Sequence, residues 1–169
     1  MTDTQKKPLW KNELVWLFLL TSGLFAILYS KFILGGYAYV FTDTGADTMQ
    51  INYAQYGLFS SLFRSGESGY VLQAGLGMDV SSYYPAYLIP YNLLILLAPQ
   101  RLLPWAVLAS AYLKMITISL VGYLFYRKLM QDGIGTMAAA LAWTFSGYVI
   151  LWGQHYGFCT CMALFTVFM

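Results

Sequence analysis

The chain has 169 residues, of which 59% are hydrophobic and only 9% charged. Soluble domains carry about 25% charged residues, so this composition excludes an ordinary soluble protein and predicts an integral membrane protein. A net charge of +2 offers no basic footprint for nucleic acid.

Residues 1–13 form a polar tail with Lys6, Lys7 and Lys11 set against Asp3 and Glu13. The next 21 residues, 14–34, are mostly apolar, and a crossing helix needs about 20. The run is too long for a signal-peptide core. Lys31, in its last turn, can snorkel to the far interface. Gly35 and Gly36 predict the helix end, because glycine takes the left-handed closing conformation without strain.

Residues 35–85 are the one long stretch that is neither continuously apolar nor a short turn. They hold four of the seven acidic residues, Asp43, Asp47, Glu67 and Asp79. After a short β-rich piece at 37–42, a helix is predicted over about 44–64. At about 100° per residue, Asp47, Gln50, Ala54, Gly57, Ser61 and Arg64 share one polar or small stripe. Met49, Tyr53, Tyr56, Phe59 and Phe63 fall opposite. Such a helix suits the plane of a membrane surface. Residues 65–69 break this helix, and Gly75-Leu76-Gly77 forms a second turn.

Residues 86–98 are apolar, contain Pro90 and number only 13, which predicts an interfacial or re-entrant helix. A break with Arg101 leads into a 22-residue span at 105–126, closed by Arg127 and Lys128. After a turn at Gln131-Asp132-Gly133 comes a further span, 134–153, with Gln154-His155-Tyr156 at its far end. Residues 154–169 read as an outer turn and the start of another helix. The apolar stretch 158–169, with 12 residues, is too short to cross, which leads us to expect an N-terminal part of a longer protein. Cys159 and Cys161 diverge on a helix and read as packing residues.

Charge orients these spans. If 86–98 does not cross, segments 1–13 and 127–133 lie inside with five Lys and Arg in 20 residues, against two in the 70 residues of 35–104. The positive-inside rule therefore predicts a cytoplasmic N-terminus and an outer loop over 35–104. The expected fold is all-α: a polytopic transmembrane helix bundle whose long outer loop carries interfacial helices, in one membrane domain.

Asp47 is the first candidate for chemistry. Beside Gln50 at a membrane surface, it can act as a general base toward an acceptor hydroxyl. Thr44-x-x-Asp47 equally matches a capping box, in which Asp47 bonds back to the helix start; the two roles are compatible. Asp43 is a second carboxylate or a solvated turn residue. Arg64, Arg101 and Lys114 are candidate phosphate ligands. Lys114 lies inside a span, where charge is costly and usually faces a cavity or a partner. His155 is the one histidine, a weak metal signal and more simply a polar helix end. No cofactor is predicted, although two loop carboxylates can hold a divalent cation.

Asp47-Thr-Met-Gln50-Ile-Asn-Tyr53 resembles the Asp-x-x-Gln-x-x-Tyr pattern after the first span of bacterial YfhO-type membrane proteins. Gly75-Leu-Gly77, the block Tyr83-Tyr84-Pro85 through Leu94, Leu113-Lys114 and Phe145-Ser-Gly147-Tyr148 resemble further motifs of that family, in order, over roughly 35–155. The family belongs with the GT-C type of membrane glycosyltransferases. The resemblance implies inverting transfer of a sugar from a polyprenyl-phosphate donor to an envelope polymer, teichoic-acid-like in Gram-positive relatives, on the outer face of the bacterial plasma membrane. It implies Asp47 as base, with Asp43 as runner-up. Gln50, Tyr53, Tyr84, Arg101, Lys114 and His155 make up the expected substrate-binding set. The alternatives are a transporter or flippase of lipid-linked glycans and a non-catalytic membrane scaffold.

The topology is testable once Cys159 and Cys161 are replaced by alanine. A membrane-impermeant maleimide applied to intact cells should label Ser65→Cys and leave Gln131→Cys unlabelled until the membrane is opened. The reverse pattern would invert the predicted orientation.

Overall fold

A computed structural model describes residues 12–40, 48–67, 70–72, 77–79, 90–130 and 132–153, and it is mostly helical. Asn12 starts the first helix by accepting the Leu14 N–H at 3.0 Å on its side-chain oxygen. This satisfies one of the donors that a helix start leaves open. Helix α1 runs Glu13–Leu28; the backbone leaves helical geometry at Tyr29, and α2 continues over Ser30–Leu34. The predicted span 14–34 is therefore two helices with a break. Of the two glycines that follow, only Gly36 takes a left-handed conformation, at φ +68. The predicted β-rich character of 37–42 does not appear in its described part, 37–40, which is irregular.

Chain 48–53 is a π-helix, Thr48–Tyr53, continuous with α3, Ala54–Ser65. The amphipathic prediction holds over most of this stretch. Gln50, Ala54, Ser61 and Arg64 are exposed, while Tyr56 and Phe59 are buried. Met49 and Phe63 depart from it and are exposed. A π-helix turns less per residue than an α-helix, so a stripe drawn at constant α pitch misplaces the residues before Ala54. The apolar face of α3 is also not bare: Phe59 and Leu62 pack with Val71 and Leu96.

The all-α expectation is met except for one small ribbon. Strands β1, Tyr70–Val71, and β2, Met78–Asp79, pair antiparallel. Gly77, at φ +106, lies where the Tyr70 ring would meet any Cβ, so the close approach requires glycine.

Helix α4 is Pro90–Leu97; residues 86–89 of the helix predicted over 86–98 lie outside the described residues. A 3-10 turn, Gln100–Leu102, leads into α5, Leu103–Leu129. Asp132 caps α6, Gly133–Thr144, by accepting the N–H groups of Ile134 at 3.3 Å and Gly135 at 2.6 Å. Phe145 ends α6, and Ser146 caps α7, Gly147–Trp152, through the Val149 N–H at 3.4 Å. The predicted span 134–153 is thus interrupted as well. Gln100–Leu129, with 30 residues, and Gly133–Trp152, with 20, are long and apolar enough to cross a membrane, whereas Glu13–Leu28 has 16.

Helix α5 is the centre of the packing and touches α1, α4 and α6. One core joins Phe25, Tyr29, Tyr39, Ile95, Val107, Met115, Ile118 and Val149; a smaller one joins Leu17, Tyr123 and Ala140. Two polar pairs fasten α1 to α5: the Thr21 and Ser119 hydroxyls and the Ser22 and Tyr112 hydroxyls, each 2.8 Å apart. On the far side α1 exposes Trp16, Phe18, Leu19, Leu20, Ile27 and Leu28. Gly122 packs closely against Ala140 of α6, whereas Gly147 is exposed at the start of α7 with open space around it among the described residues.

A Cβ at Gly122 would meet Trp143 Cδ1 at 3.5 Å and Ala140 Cα at 3.8 Å, which is ordinary contact. Gly122→Ala should therefore leave thermal unfolding in detergent nearly unchanged. Gly122→Leu, which must push α6 away, should destabilise by about 1–3 kcal/mol.

Candidate functional site

The break at Tyr29 and the turn after Leu34 shape a concavity among the described residues. Phe25 and Tyr29 stack with centroids 4.2 Å apart, and Tyr39 meets Tyr29 edge-on at 5.2 Å. This aromatic group brings the chain beyond Gly36 back against α5. Between them lies a narrow crevice with about 10 Å³ of enclosed space, room for about one water molecule. Among the described residues its walls are Tyr29 and Tyr39, Ile95 of α4, Val107, Ser110, Ala111, Lys114 and Met115 of α5, and Gly153 beyond α7.

Lys114 is 3% exposed and lines this cleft. It lies 11 residues beyond Leu103, the first residue of α5, or about 16 Å along the axis. Its ammonium lies among Val107, Met115, Ile95 and tyrosine rings, where loss of bulk hydration is costly unless polar contacts offset it, and Lys114 is not without an interaction partner there. The sequence reading expects this charge to face a cavity or a partner; it lines the crevice.

The other predicted residues fall elsewhere or outside the described chain. Asp43, Asp47, Tyr84 and His155 lie outside the described residues. Gln50 is exposed in the π-helix. Tyr53, at its end, is partly buried and packs against the core that includes Tyr29, Tyr39 and Met115. Burial raises its phenol above the ordinary tyrosine pKa, because the charged form loses solvation. Arg101 is exposed in the 3-10 turn and does not line the cleft. Thirteen residues of mostly helical chain, about 20 Å, separate it from Lys114. Arg64 is exposed in the last turn of α3. Among the described residues, no three His, Cys, Asp or Glu side chains gather as a metal site.

Three cleft residues were not singled out from the sequence. Ser110 carried a usable signal, since it precedes Lys114 by four residues and so shares its helix face. Tyr29 and Tyr39 carried none, because they meet only through the reversal at Gly36.

The loop helices are held beside this end of α5 by polar contacts. Gln100 Nε2 donates to the Gly57 carbonyl at 2.6 Å, Ser60 Oγ donates to the Ala98 carbonyl at 2.6 Å, and Tyr56 Oη donates to Asn92 Oδ1 at 3.4 Å. No protein-family model, curated protein or solved structure matches the chain.

Gln100→Ala removes the tie between α3 and the start of α5. A typical hydrogen bond contributes about 1 kcal/mol net. The variant should show roughly fivefold faster amide exchange in Ala54–Ser65, with α5 unchanged, in hydrogen–deuterium exchange.

Proposed function

We propose that the chain belongs to a multi-pass enzyme of the bacterial plasma membrane. In this reading it transfers a sugar from a polyprenyl-phosphate donor to an envelope polymer on the outer face. The observation that carries the reading is the buried Lys114 in the wall of a small cleft at the end of α5 where the loop helices gather. A cation in a low-dielectric wall stabilises the charge that develops on a leaving phosphate far better than one in water. The exposed apolar face of α1 and the two long apolar helical stretches support a bilayer environment.

The chemistry follows from those groups. The Asp47 carboxylate takes the proton of an acceptor hydroxyl. The freed oxygen lone pair attacks the anomeric carbon as the bond from that carbon to the phosphate oxygen breaks. That bond's electron pair leaves with the lipid phosphate, whose negative charge Lys114 offsets. One attack of this kind inverts the anomeric configuration. The role of Asp47 rests on the sequence motif; that of Lys114 rests on motif and cleft together.

One observation favours the second reading, a transporter of lipid-linked glycans. Two apolar helical segments are interrupted, at Tyr29 and at Phe145–Ser146, and broken helices line many transport sites. Sugar transfer in native membranes supplied with a synthetic polyprenyl-phosphate sugar separates the two. Asp47→Asn should lower the rate at least 100-fold, in line with loss of a general base, at unchanged abundance in the membrane. Equal activity would remove Asp47 as base. Transbilayer movement of the donor without transfer would favour the transporter.

A further inference from the structure

Hydroxyls inside apolar helices usually turn back onto the carbonyl one turn earlier. Four of the described ones do so: Ser22 onto Phe18 at 2.7 Å, Thr117 onto Leu113 at 2.9 Å, Thr136 onto Asp132 at 2.6 Å and Thr144 onto Ala140 at 2.7 Å. Thr21 and Ser119 bond to each other instead, at 2.8 Å. Ser110 does neither. It is 1% exposed, and its Oγ has no hydrogen-bond partner among the described residues. Burying a hydroxyl without a partner is costly, and native proteins often satisfy such a group with an ordered water.

The surroundings of Ser110 suit that solution. It lines the crevice between the Tyr29–Tyr39 aromatic group and α5, where about 10 Å³ is enclosed, close to the least volume that one water needs. A purely apolar cavity of that size would stay dry. This wall is mixed: Ile95, Val107 and Met115 share it with Ser110, Lys114, Tyr29 and Tyr39. The last three have interactions of their own. A buried water makes about three hydrogen bonds, as donor and as acceptor, so it can serve the serine and add to a neighbour without displacing what that neighbour holds. The other buried side-chain atom without a partner among the described residues, Trp143 Nε1, lies off this wall.

We propose that Ser110 holds a single ordered water in the crevice, with its hydroxyl donating to the water oxygen. Lys114 stands one helical turn further along the same face of α5. The site therefore fixes one solvent molecule on the wall that carries the buried lysine, and Ser110 is the residue that anchors it. This inference does not depend on sugar transfer and is tested without a donor or an acceptor.

X-ray hydroxyl-radical footprinting of the whole protein in its native membrane, read by mass spectrometry, detects such a water. Met115 lines the crevice and is 3% exposed, while Phe59 is fully buried in a separate core. Radicals made in bulk solvent do not reach side chains buried this deeply, whereas a water fixed beside Met115 generates them in place. In the wild type Met115 should be oxidised and Phe59 should not. Ser110→Ala should bring Met115 down to the Phe59 background, with Phe59 still protected as the sign of an intact fold. Met115 unlabelled in the wild type overturns the proposal, and so does equal Met115 labelling in a folded Ser110→Ala. If Phe59 becomes labelled in the variant, the fold has opened, and the wild-type difference between Met115 and Phe59 decides the matter by itself. Sugar transfer in native membranes is a separate measurement, so either reading can fail without the other.

Discussion

The structure depends on how much of α5 can be covered at once. Helices α1, α4 and α6 all pack on it. In the bilayer proposed for this chain, burying oil against oil gains nothing, and association relies on close fit and on polar pairs. Helix α5 supplies both. Gly122 lets α6 approach through Ala140, and Ser119 and Tyr112 bond to Thr21 and Ser22 of α1. Toward α4 the packing includes Val107, Leu108 and Ile95 of one apolar core. The three neighbours are thus recognised by three different kinds of surface on one rod, which fixes their order around it.

That arrangement explains why the cleft lies where it does. Near its start α5 still faces α4, but α1 has broken at Tyr29. The aromatic group of Phe25, Tyr29 and Tyr39 fills part of the gap. Planar rings stacked on one another leave a slot against a rounded helix surface, and Ser110 and Lys114 face that slot. The same break that weakens the first apolar helix is what gives the lysine room.

Composition made the helical class readable, because a chain with 9% charged residues has few other options. Continuous apolar runs gave α5 and α6, and Asp132 before Gly133 was visible as a turn residue able to cap. The breaks at Tyr29 and Phe145 were not legible. Aromatic residues carry no helix-stopping signal comparable to proline or glycine, and both breaks are set by packing across the bundle. The α3 stripe was legible by its period except where a π-helix changed that period. Lys114 announced itself as a charge in an oily run. Its companion Ser110 did not, since serine in an apolar helix usually satisfies itself locally, and only the three-dimensional arrangement shows that this one does not. The ribbon of β1 and β2 is two residues per strand, too short for alternation to register.

At the opposite end from the cleft, Glu13 accepts a short hydrogen bond from the Tyr123 hydroxyl, faces the Arg127 guanidinium at 3.9 Å, and lies against Gly133 where a Cβ would collide with its carboxylate. The first turn of α1 is therefore clasped to α5 and α6 together. Further along α1 the Thr21–Ser119 and Ser22–Tyr112 pairs repeat the hold, so antiparallel α1 and α5 are tied at successive levels and cannot slide past each other. The register that brings Tyr29 opposite Lys114 is thereby set by contacts far from the lysine itself.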